Sequence, residues 1–203
     1  MRYLFLAGLL LAAMPVAAEP LNYDYIYLSS GRIEPEQGES RNASAFGAFY
    51  SFANNFHGFI GVDDGGAYAA SAPADADIRN WRIGAGGHFL VSENVMLAPA
   101  AALLRGTVEY RACIPLGPNL PACSWTDMEA SDTGYVVQLD ARWNFAERWE
   151  VIGGLHRSEL FEESETEIVA GILWHPTDWL ALGAMAKDRD TSSIAELTGR
   201  WYF

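Results

Sequence analysis

The chain has 203 residues and a formal net charge of −13, so nucleic acid and other polyanions are poor partners. Half of its residues are hydrophobic, yet the mean hydropathy is +0.02, a value to which alternating apolar and polar residues would average. After residue 20, charged or polar residues interrupt every apolar run before it reaches about 18 residues, which excludes membrane-spanning helices.

The first twenty residues, MRYLFLAGLLLAAMPVAAEP, are typical of a secretory signal peptide. One Arg precedes an apolar run from Tyr3 to Met14, which is too short to span a bilayer. The small residues Val16 and Ala18 suit signal peptidase. We therefore expect a signal peptide at 1–18 and a single mature domain at 19–203.

Ten segments of alternating polarity follow, and each has the length and pattern of a β-strand. They are Leu21 to Ser29, Ser44 to Ala53, Phe56 to Tyr68, Ile78 to Val91, Val95 to Arg111, Thr133 to Phe145, Trp149 to Leu160, Thr166 to His175, Trp179 to Lys187, and Ile194 to Phe203. Tight turns alternate with longer polar loops between them. This order predicts an all-β fold: an up-and-down antiparallel transmembrane β-barrel of ten strands, with eight strands as the alternative.

Aromatic residues are concentrated at the predicted strand ends rather than in the strand middles. Beside the tight turns or the C-terminus lie Phe52, Phe56, Phe89, Trp143, Phe145, Trp149, Trp174, Trp179, Trp201 and Phe203, and at the other strand ends lie Tyr27, Trp81, Tyr110, Tyr135 and Phe161. Amphipathic rings settle at the headgroup level of a membrane. The two groups therefore predict interfacial girdles, whereas the core of a soluble sandwich would hold its large aromatics at mid-strand.

Strand parity assigns the polar residues to the barrel interior. In the segment Tyr135 to Trp143, we expect Tyr135, Val137, Leu139, Ala141 and Trp143 to face lipid and Gln138, Asp140 and Arg142 to face inward. The candidate lumen charges are Arg82, Arg105, Glu109, Arg111, Asp140, Arg142, Glu150, Glu196 and Arg200, and further inward positions are Asp24, His57, Asp63, His88, His156, Glu167 and Lys187. Barrels of eight strands are filled by side chains and open channels appear at about 16, so we expect a largely filled, mixed-charge lumen. A narrow pathway for small solutes is the alternative.

The only two cysteines, Cys113 and Cys123, lie in a Pro-rich segment of a chain that is predicted to be exported. An oxidising compartment favours a disulfide between them, which would contribute on the order of 2 to 3 kcal/mol by loop closure. No second cysteine pair accompanies them, so we predict no metal site, and we predict no cofactor.

The closing segment IAELTGRWYF places Trp201 and Phe203 on one face of the last strand. It resembles the C-terminal assembly signal by which the barrel-assembly machinery recognises its clients. With stretches such as SFANNFHGFIGV, NWRIGAGGHF and NFAERWEVIGGL, the chain from Leu21 to Phe203 resembles the small bacterial outer-membrane β-barrel families, the porin-like and opacity-like short barrels. The resemblance implies the fold, a bacterial outer-membrane location and a monomer, but it implies little about activity.

Two further features bear on function. Acidic residues cluster in the predicted longer loops: Glu34, Glu36 and Glu39; Asp75 and Asp77; Glu162, Glu163, Glu165 and Glu167; Asp188 and Asp190. Divalent cations could bridge them to lipopolysaccharide phosphates. The His156-Arg157-Ser158 sequence resembles the His and Ser of lipid A deacylase barrels, but parity turns both side chains inward, away from acyl chains. We expect a surface or structural protein without catalysis, and a lipid A-modifying hydrolase is a weaker alternative.

Overall fold

A computed structural model describes residues 23–36, 40–64, 77–115 and 123–203, with the backbone alone described at 111–115 and 123–125. The predicted signal peptide lies outside these residues. None of the described residues forms a helix that is long and apolar enough to cross a membrane.

The described chain forms eleven β-strands joined in an antiparallel sheet. Their bounds are β1 Tyr25–Pro35, β2 Arg41–Ala53, β3 Phe56–Asp64, β4 Asp77–Gly87, β5 Phe89–Ser92, β6 Val95–Pro115, β7 Cys123–Ala146, β8 Trp149–Leu160, β9 Glu163–Thr177, β10 Leu180–Arg189 and β11 Ser192–Tyr202. Each strand pairs with its sequence neighbours except at β4, which pairs with β6.

The sheet closes on itself. β1 pairs with β11 from Tyr25 opposite Tyr202 to Pro35 opposite Ser192. β4 and β5 both pair with β6 and are separated by His88 alone, so they form one interrupted strand. The fold is therefore a closed, up-and-down antiparallel barrel of ten strands, which confirms the predicted fold class and strand count.

The two ends of the barrel differ. Two-residue turns at 54–55, 93–94, 147–148 and 178–179, together with Phe203, lie at one end, which we call the short-turn rim. At the opposite end, the long-loop rim, β1, β3, β6, β8 and β10 end, and residues 161–162 and 190–191 form short connections there. In outer-membrane barrels the short turns are periplasmic.

The strands at the long-loop rim are longer than the sequence pattern predicts. The β6–β7 ladder continues to Pro115 opposite Cys123, beyond the predicted limits at Arg111 and Thr133. Residues 126–131 of β7 are exposed on both faces, so apolar alternation is not needed there. The predicted loop at 161–165 is instead a tight turn, in which Phe161 and Glu162 have φ angles of 54° and 61°.

The outer surface of the barrel is apolar. Leu103 and Leu197 are 62% and 72% exposed, and Leu28, Ile60, Leu139 and Leu155 also point outward. An apolar surface that runs around the whole barrel would not remain monomeric in water. The predicted lipid face of β7 is confirmed, because Tyr135, Val137, Leu139 and Trp143 are exposed whereas the intervening side chains point inward.

The aromatic girdles are confirmed at one rim and only partly at the other. Phe52, Phe56, Phe89, Trp143, Trp149, Trp174, Trp179, Trp201 and Phe203 all point outward at the short-turn rim, and Phe145 of the same predicted group is half-buried. At the long-loop rim, Trp81 and Tyr135 point outward. The other three residues of that predicted girdle, Tyr27, Tyr110 and Phe161, pack against interior clusters instead. Tyr27 and Tyr110 lie on the inward face of their strands, and Phe161 covers the interior from the turn after β8.

Candidate functional site: the charged lumen

A buried ion pair lies inside the barrel near the short-turn rim. Arg142 of β7 and Glu150 of β8 are 3% and 0% exposed. The guanidinium donates from Nε to Oε1 over 2.6 Å and from Nη2 to Oε2 over 3.0 Å, and His175 Nε2 lies 3.2 Å from the same Oε2. A buried charge is tolerated only when paired and hydrogen-bonded, and this fork meets both conditions.

Aromatic rings surround this pair. The Arg142 guanidinium lies 5.1 Å from the ring centroid of Tyr23 and 5.9 Å from that of Tyr25, and Arg200 lies 4.9 Å from Tyr25. Tyr23 and Tyr25 are only 4% and 5% exposed, although they begin the described chain. Cations over ring faces are attracted by the ring quadrupole. The short-turn end of the lumen is therefore filled by alternating rings and guanidinium groups.

A second group of charges lies at mid-barrel. His156 of β8 is held between two carboxylates, with Nε2 2.9 Å from Asp140 Oδ1 and Nδ1 3.0 Å from Glu167 Oε1. With both carboxylates ionised, each accepts a hydrogen bond from one ring nitrogen, and the imidazole then carries a positive charge. Toward the long-loop rim, Arg189 donates to Glu167, and Lys187 is 2.8 Å from Glu196.

Most of the predicted lumen charges are inside the barrel. Arg82, Asp140, Arg142, Glu150, Glu196 and Arg200 line the interior, as do the further inward positions His57, Asp63, His156, Glu167 and Lys187. Arg82 donates to the Tyr27 hydroxyl over 2.6 Å. At the short-turn rim, Asp24 accepts a hydrogen bond from the Ser51 backbone, and His88 lies beside His57.

Two of the predicted lumen charges are corrected by the structure. Arg105 and Glu109 are exposed, and they share the outward face of β6 with Leu103, whereas Leu104 and Val108 point inward. Arg105 pairs in register with Trp81, at the level of the outer girdle, so β6 leaves the bilayer there. Beyond that level water surrounds the barrel, so a charged side chain can point outward as well as inward. The side chain of Arg111 lies outside the described residues.

The predicted assembly signal lies at the end of the last strand, and the predicted disulfide joins residues whose backbone alone is described. Trp201 and Phe203 both point outward on the last strand, at the short-turn rim. The side chains of Cys113 and Cys123 lie outside the described residues, and the backbone register places Cys113 opposite Trp125 and Cys123 opposite Pro115.

Several interior residues were missed by the sequence interpretation. The sequence predicts loops at Glu165 and Arg189 because mostly charged residues surround them, but β9 and β10 continue through these two residues. Their parity with Lys187 and Glu167 would have identified them. Tyr23 precedes β1, and nothing in the sequence indicates that its ring enters the lumen.

The lumen is not completely filled. A cavity of about 110 Å³ lies at mid-barrel, and one of about 40 Å³ lies nearer the long-loop rim. They share the lining residues Arg82, His156, Glu167, Lys187 and Glu196. Such polar spaces are large enough for water molecules.

The geometry does not fit a membrane-facing hydrolytic site. Ser158 is 6% exposed and lies on the inner face with His156, and both nitrogens of His156 are occupied by carboxylates. A nucleophile that attacks an acyl ester of a membrane lipid must face the bilayer. This pair faces the other way.

Comparison with known proteins identifies the fold. No protein-family model matches the chain, and no curated protein matches its sequence. Among solved structures, the KdgM porin in complex with disordered oligogalacturonate has a TM-score of 0.50 at 9% identity, over 88% of this chain and 99% of that one. Ail, the attachment invasion locus protein of Yersinia pestis, gives 0.40 at 12% over 89% and 99%, and Neisserial surface protein A gives 0.41 at 14% over 91% and 100%. The chain has the fold of the small bacterial outer-membrane β-barrels.

Proposed function

We propose that the protein is a surface or structural protein of the bacterial outer membrane, without catalysis, and that ion pairs and aromatic rings close its lumen. The observation that carries the proposal is the fully buried Arg142–Glu150 pair, enclosed by Tyr23 and Tyr25. A conducting channel needs mobile water and weakly held charges along its whole length. Here the charges near the short-turn rim are fixed to one another and shielded from water.

The interior charges act as a polar core. Each cation in this core faces an acid or a ring: Arg142 faces Glu150, His156 faces Asp140 and Glu167, and Lys187 faces Glu196. In a barrel surrounded by lipid, the apolar residues are needed outside, so the interior is held together by ion pairs and hydrogen bonds. This is a structural role for residues that would otherwise suggest a binding or catalytic site.

A narrow pathway for water or small solutes is the second candidate function. It is favoured by the two cavities, which share five charged side chains and extend from mid-barrel toward the long-loop rim. The KdgM porin, which has the same fold, is described with an oligogalacturonate. In this chain the Arg142–Glu150 pair and Tyr23 would have to move before a solute could pass.

Conductance of the refolded mature protein in planar bilayers separates the two functions. We expect no steps above baseline for the natural chain, and we expect current to appear when Tyr23 and Arg142 are both replaced by Ala. Regular steps from the natural chain would reject the closed lumen in favour of the pore. For the hydrolase alternative, mass analysis of lipid A after incubation should show an unchanged acyl count.

We extend the proposal to partners. Exposed acids lie at the long-loop rim, among them Glu34, Glu162, Glu163 and Asp188, and divalent cations would bridge them to lipopolysaccharide phosphates. Glu165 and Glu167 of the same predicted clusters turn inward and are engaged by Thr191 and Arg189. Trp201 and Phe203 support recognition by the barrel-assembly machinery. We propose a monomer, because lipid alone is sufficient to cover the apolar exterior.

A further inference from the structure

Two histidines face each other inside the barrel at the short-turn rim. His57 is the second residue of β3 and is 1% exposed, and His88 fills the break between β4 and β5. Their Nδ1 atoms are 3.4 Å apart. The pair lies beyond the Arg142–Glu150 ion pair, and the closed-lumen function described above does not use it.

The distance between the two Nδ1 atoms matches the distance between two nitrogen ligands of a tetrahedral metal ion. With metal–nitrogen bonds of about 2.0–2.1 Å and a tetrahedral angle, two ligand nitrogens lie roughly 3.3–3.4 Å apart. A cis pair in a square-planar site would lie about 2.8–3.0 Å apart by the same geometry. The observed separation of the two Nδ1 atoms lies in the tetrahedral range, and because the ring centroids are 5.6 Å apart the rings need only tilt slightly for both lone pairs to converge on one ion.

A hydrogen bond to the backbone sets the tautomer of His88. Its Nε2 lies 3.1 Å from the backbone carbonyl oxygen of Asn54, and its backbone N–H donates to the carbonyl of Asn55 over 2.9 Å. A carbonyl only accepts, so Nε2 carries the proton and the Nδ1 lone pair points toward His57. Histidine ligands of metals are typically oriented in this way, by a hydrogen bond from the other ring nitrogen.

The surroundings hold the two rings in place. Tyr23 stacks on both, with ring centroids 4.4 Å from His57 and 4.9 Å from His88. Arg142, at the same end of the lumen, is paired with Glu150, so its charge is offset there, and Asp24 lies at the same rim, where it accepts a hydrogen bond from the Ser51 backbone.

We propose that His57 and His88 form a binding site for a transition-metal ion of the Zn²⁺ class, at the short-turn end of the lumen. Imidazole nitrogen suits Zn²⁺, Ni²⁺, Co²⁺ and Cu²⁺, and the tetrahedral bite favours Zn²⁺ and Co²⁺. In the described part of the chain, no group of three or more His, Cys, Asp or Glu side chains is placed to hold a metal. The site therefore has two protein donors, with water or a small ligand at the other two positions. The ion enters past His88, because that side chain is only half-buried.

Binding is tested with Co²⁺ as a spectroscopic probe and Zn²⁺ as competitor, on refolded, tag-free mature protein in detergent. The chain has four histidines, so single His→Gln variants cover all of them. We expect one Co²⁺ per chain with a tetrahedral absorption spectrum that Zn²⁺ abolishes. His88→Gln should weaken binding at least tenfold. His175→Gln, which lies against Glu150 in the same lumen, should bind within twofold of the natural chain.

A measurement on the natural chain covers the case in which a variant does not fold. Zn²⁺ should protect the half-buried His88 from diethyl pyrocarbonate, as mapped by mass spectrometry, and leave the reactivity of His175 unchanged. The proposal is overturned if the natural chain binds no Co²⁺, if the bound Co²⁺ is octahedral, or if Zn²⁺ does not protect His88. Equal loss of binding in His175→Gln and His88→Gln would overturn it as well.

Discussion

Replacing Glu150 by Gln should destabilise the barrel strongly although the side-chain shape is kept. Gln retains one acceptor oxygen but removes the charge and turns an amide donor toward the Arg142 guanidinium. Two charge-assisted hydrogen bonds, at 2.6 and 3.0 Å, are then lost or weakened at a site where both partners are buried. Such bonds contribute about 1.5–3 kcal/mol each, and breaking one side of a buried pair costs about 3–5 kcal/mol. We expect a loss of about 3–4 kcal/mol in the free energy of unfolding.

The assay is urea unfolding in lipid vesicles, followed by tryptophan fluorescence and by the folded fraction on unheated gels. Asp64→Asn is the matched control, because the Arg79–Asp64 pair has a similar distance of 3.0 Å but its side chains are 61% and 56% exposed. Water screens an exposed pair, so this variant should shift the unfolding midpoint far less than Glu150→Gln does. The double variant Arg142→Met with Glu150→Leu should recover at least half of the loss. Equal losses in Glu150→Gln and Asp64→Asn would refute the polar core.

Three further predictions concern other parts of the barrel. Leu139→Arg places a charge on the lipid face midway between Tyr135 and Trp143 and should cost about 2–4 kcal/mol in vesicle unfolding, whereas Met128→Arg on the exposed part of β7 should change stability by less than about 0.5 kcal/mol. Gly134→Ala should lower the free energy of unfolding by about 1–3 kcal/mol, because the new Cβ would overlap the carbonyl oxygen of Glu159. At Gly153 a Cβ would meet nothing within 4 Å, so Gly153→Ala should be neutral or slightly stabilising. A larger loss in Gly153→Ala than in Gly134→Ala would contradict the register of β7 and β8. Cys113 and Cys123 should resist alkylation in the unfolded, non-reduced protein and take up two groups after reduction; uptake without reductant would exclude the predicted disulfide.

The barrel could be predicted from the sequence because lipid imposes a strict pattern on it. Along β7, each outward position from Tyr135 to Trp143 is apolar because hydrocarbon lies outside, so polarity alone gives the strand and its facing. The pattern no longer predicts which side chains face inward where the strands extend beyond the hydrocarbon. Above the outer girdle, Arg105 and Glu109 point outward into water, and the same parity rule assigned them to the lumen.

The contents of the lumen were predictable in kind but not in arrangement. Parity identified Asp140, Arg142 and Glu150 as interior residues. It could not show that Arg142 pairs with Glu150 while Asp140 pairs with His156, because both pairings satisfy charge balance. The register of β7 and β8 decides between them. It places Glu150 opposite Asn144, diagonal to Arg142, and His156 opposite Gln138, diagonal to Asp140.

The segment before the first strand shows a second limit. Tyr23 lies outside every ladder, and yet its ring stacks on both His57 and His88, which come from different parts of the sheet. The pairing of His57 with His88 also depends on the break after Gly87, which the alternating sequence around it does not indicate. Contacts of this kind arise only when the barrel closes, so no local pattern records them.

The central claim is that hydrocarbon surrounds this barrel and that its ionic residues point toward the axis. Spin labels on adjacent positions of β7 test it directly, at Leu139→Cys and Gln138→Cys in a Cys113→Ser, Cys123→Ser background, in lipid vesicles. The label at 139 should collide with dissolved oxygen and be shielded from an aqueous nickel chelate, and the label at 138 should show no such lipid signature. If the label at 138 behaves as lipid-exposed and the label at 139 as buried, the barrel is inside out relative to this description and the account is wrong.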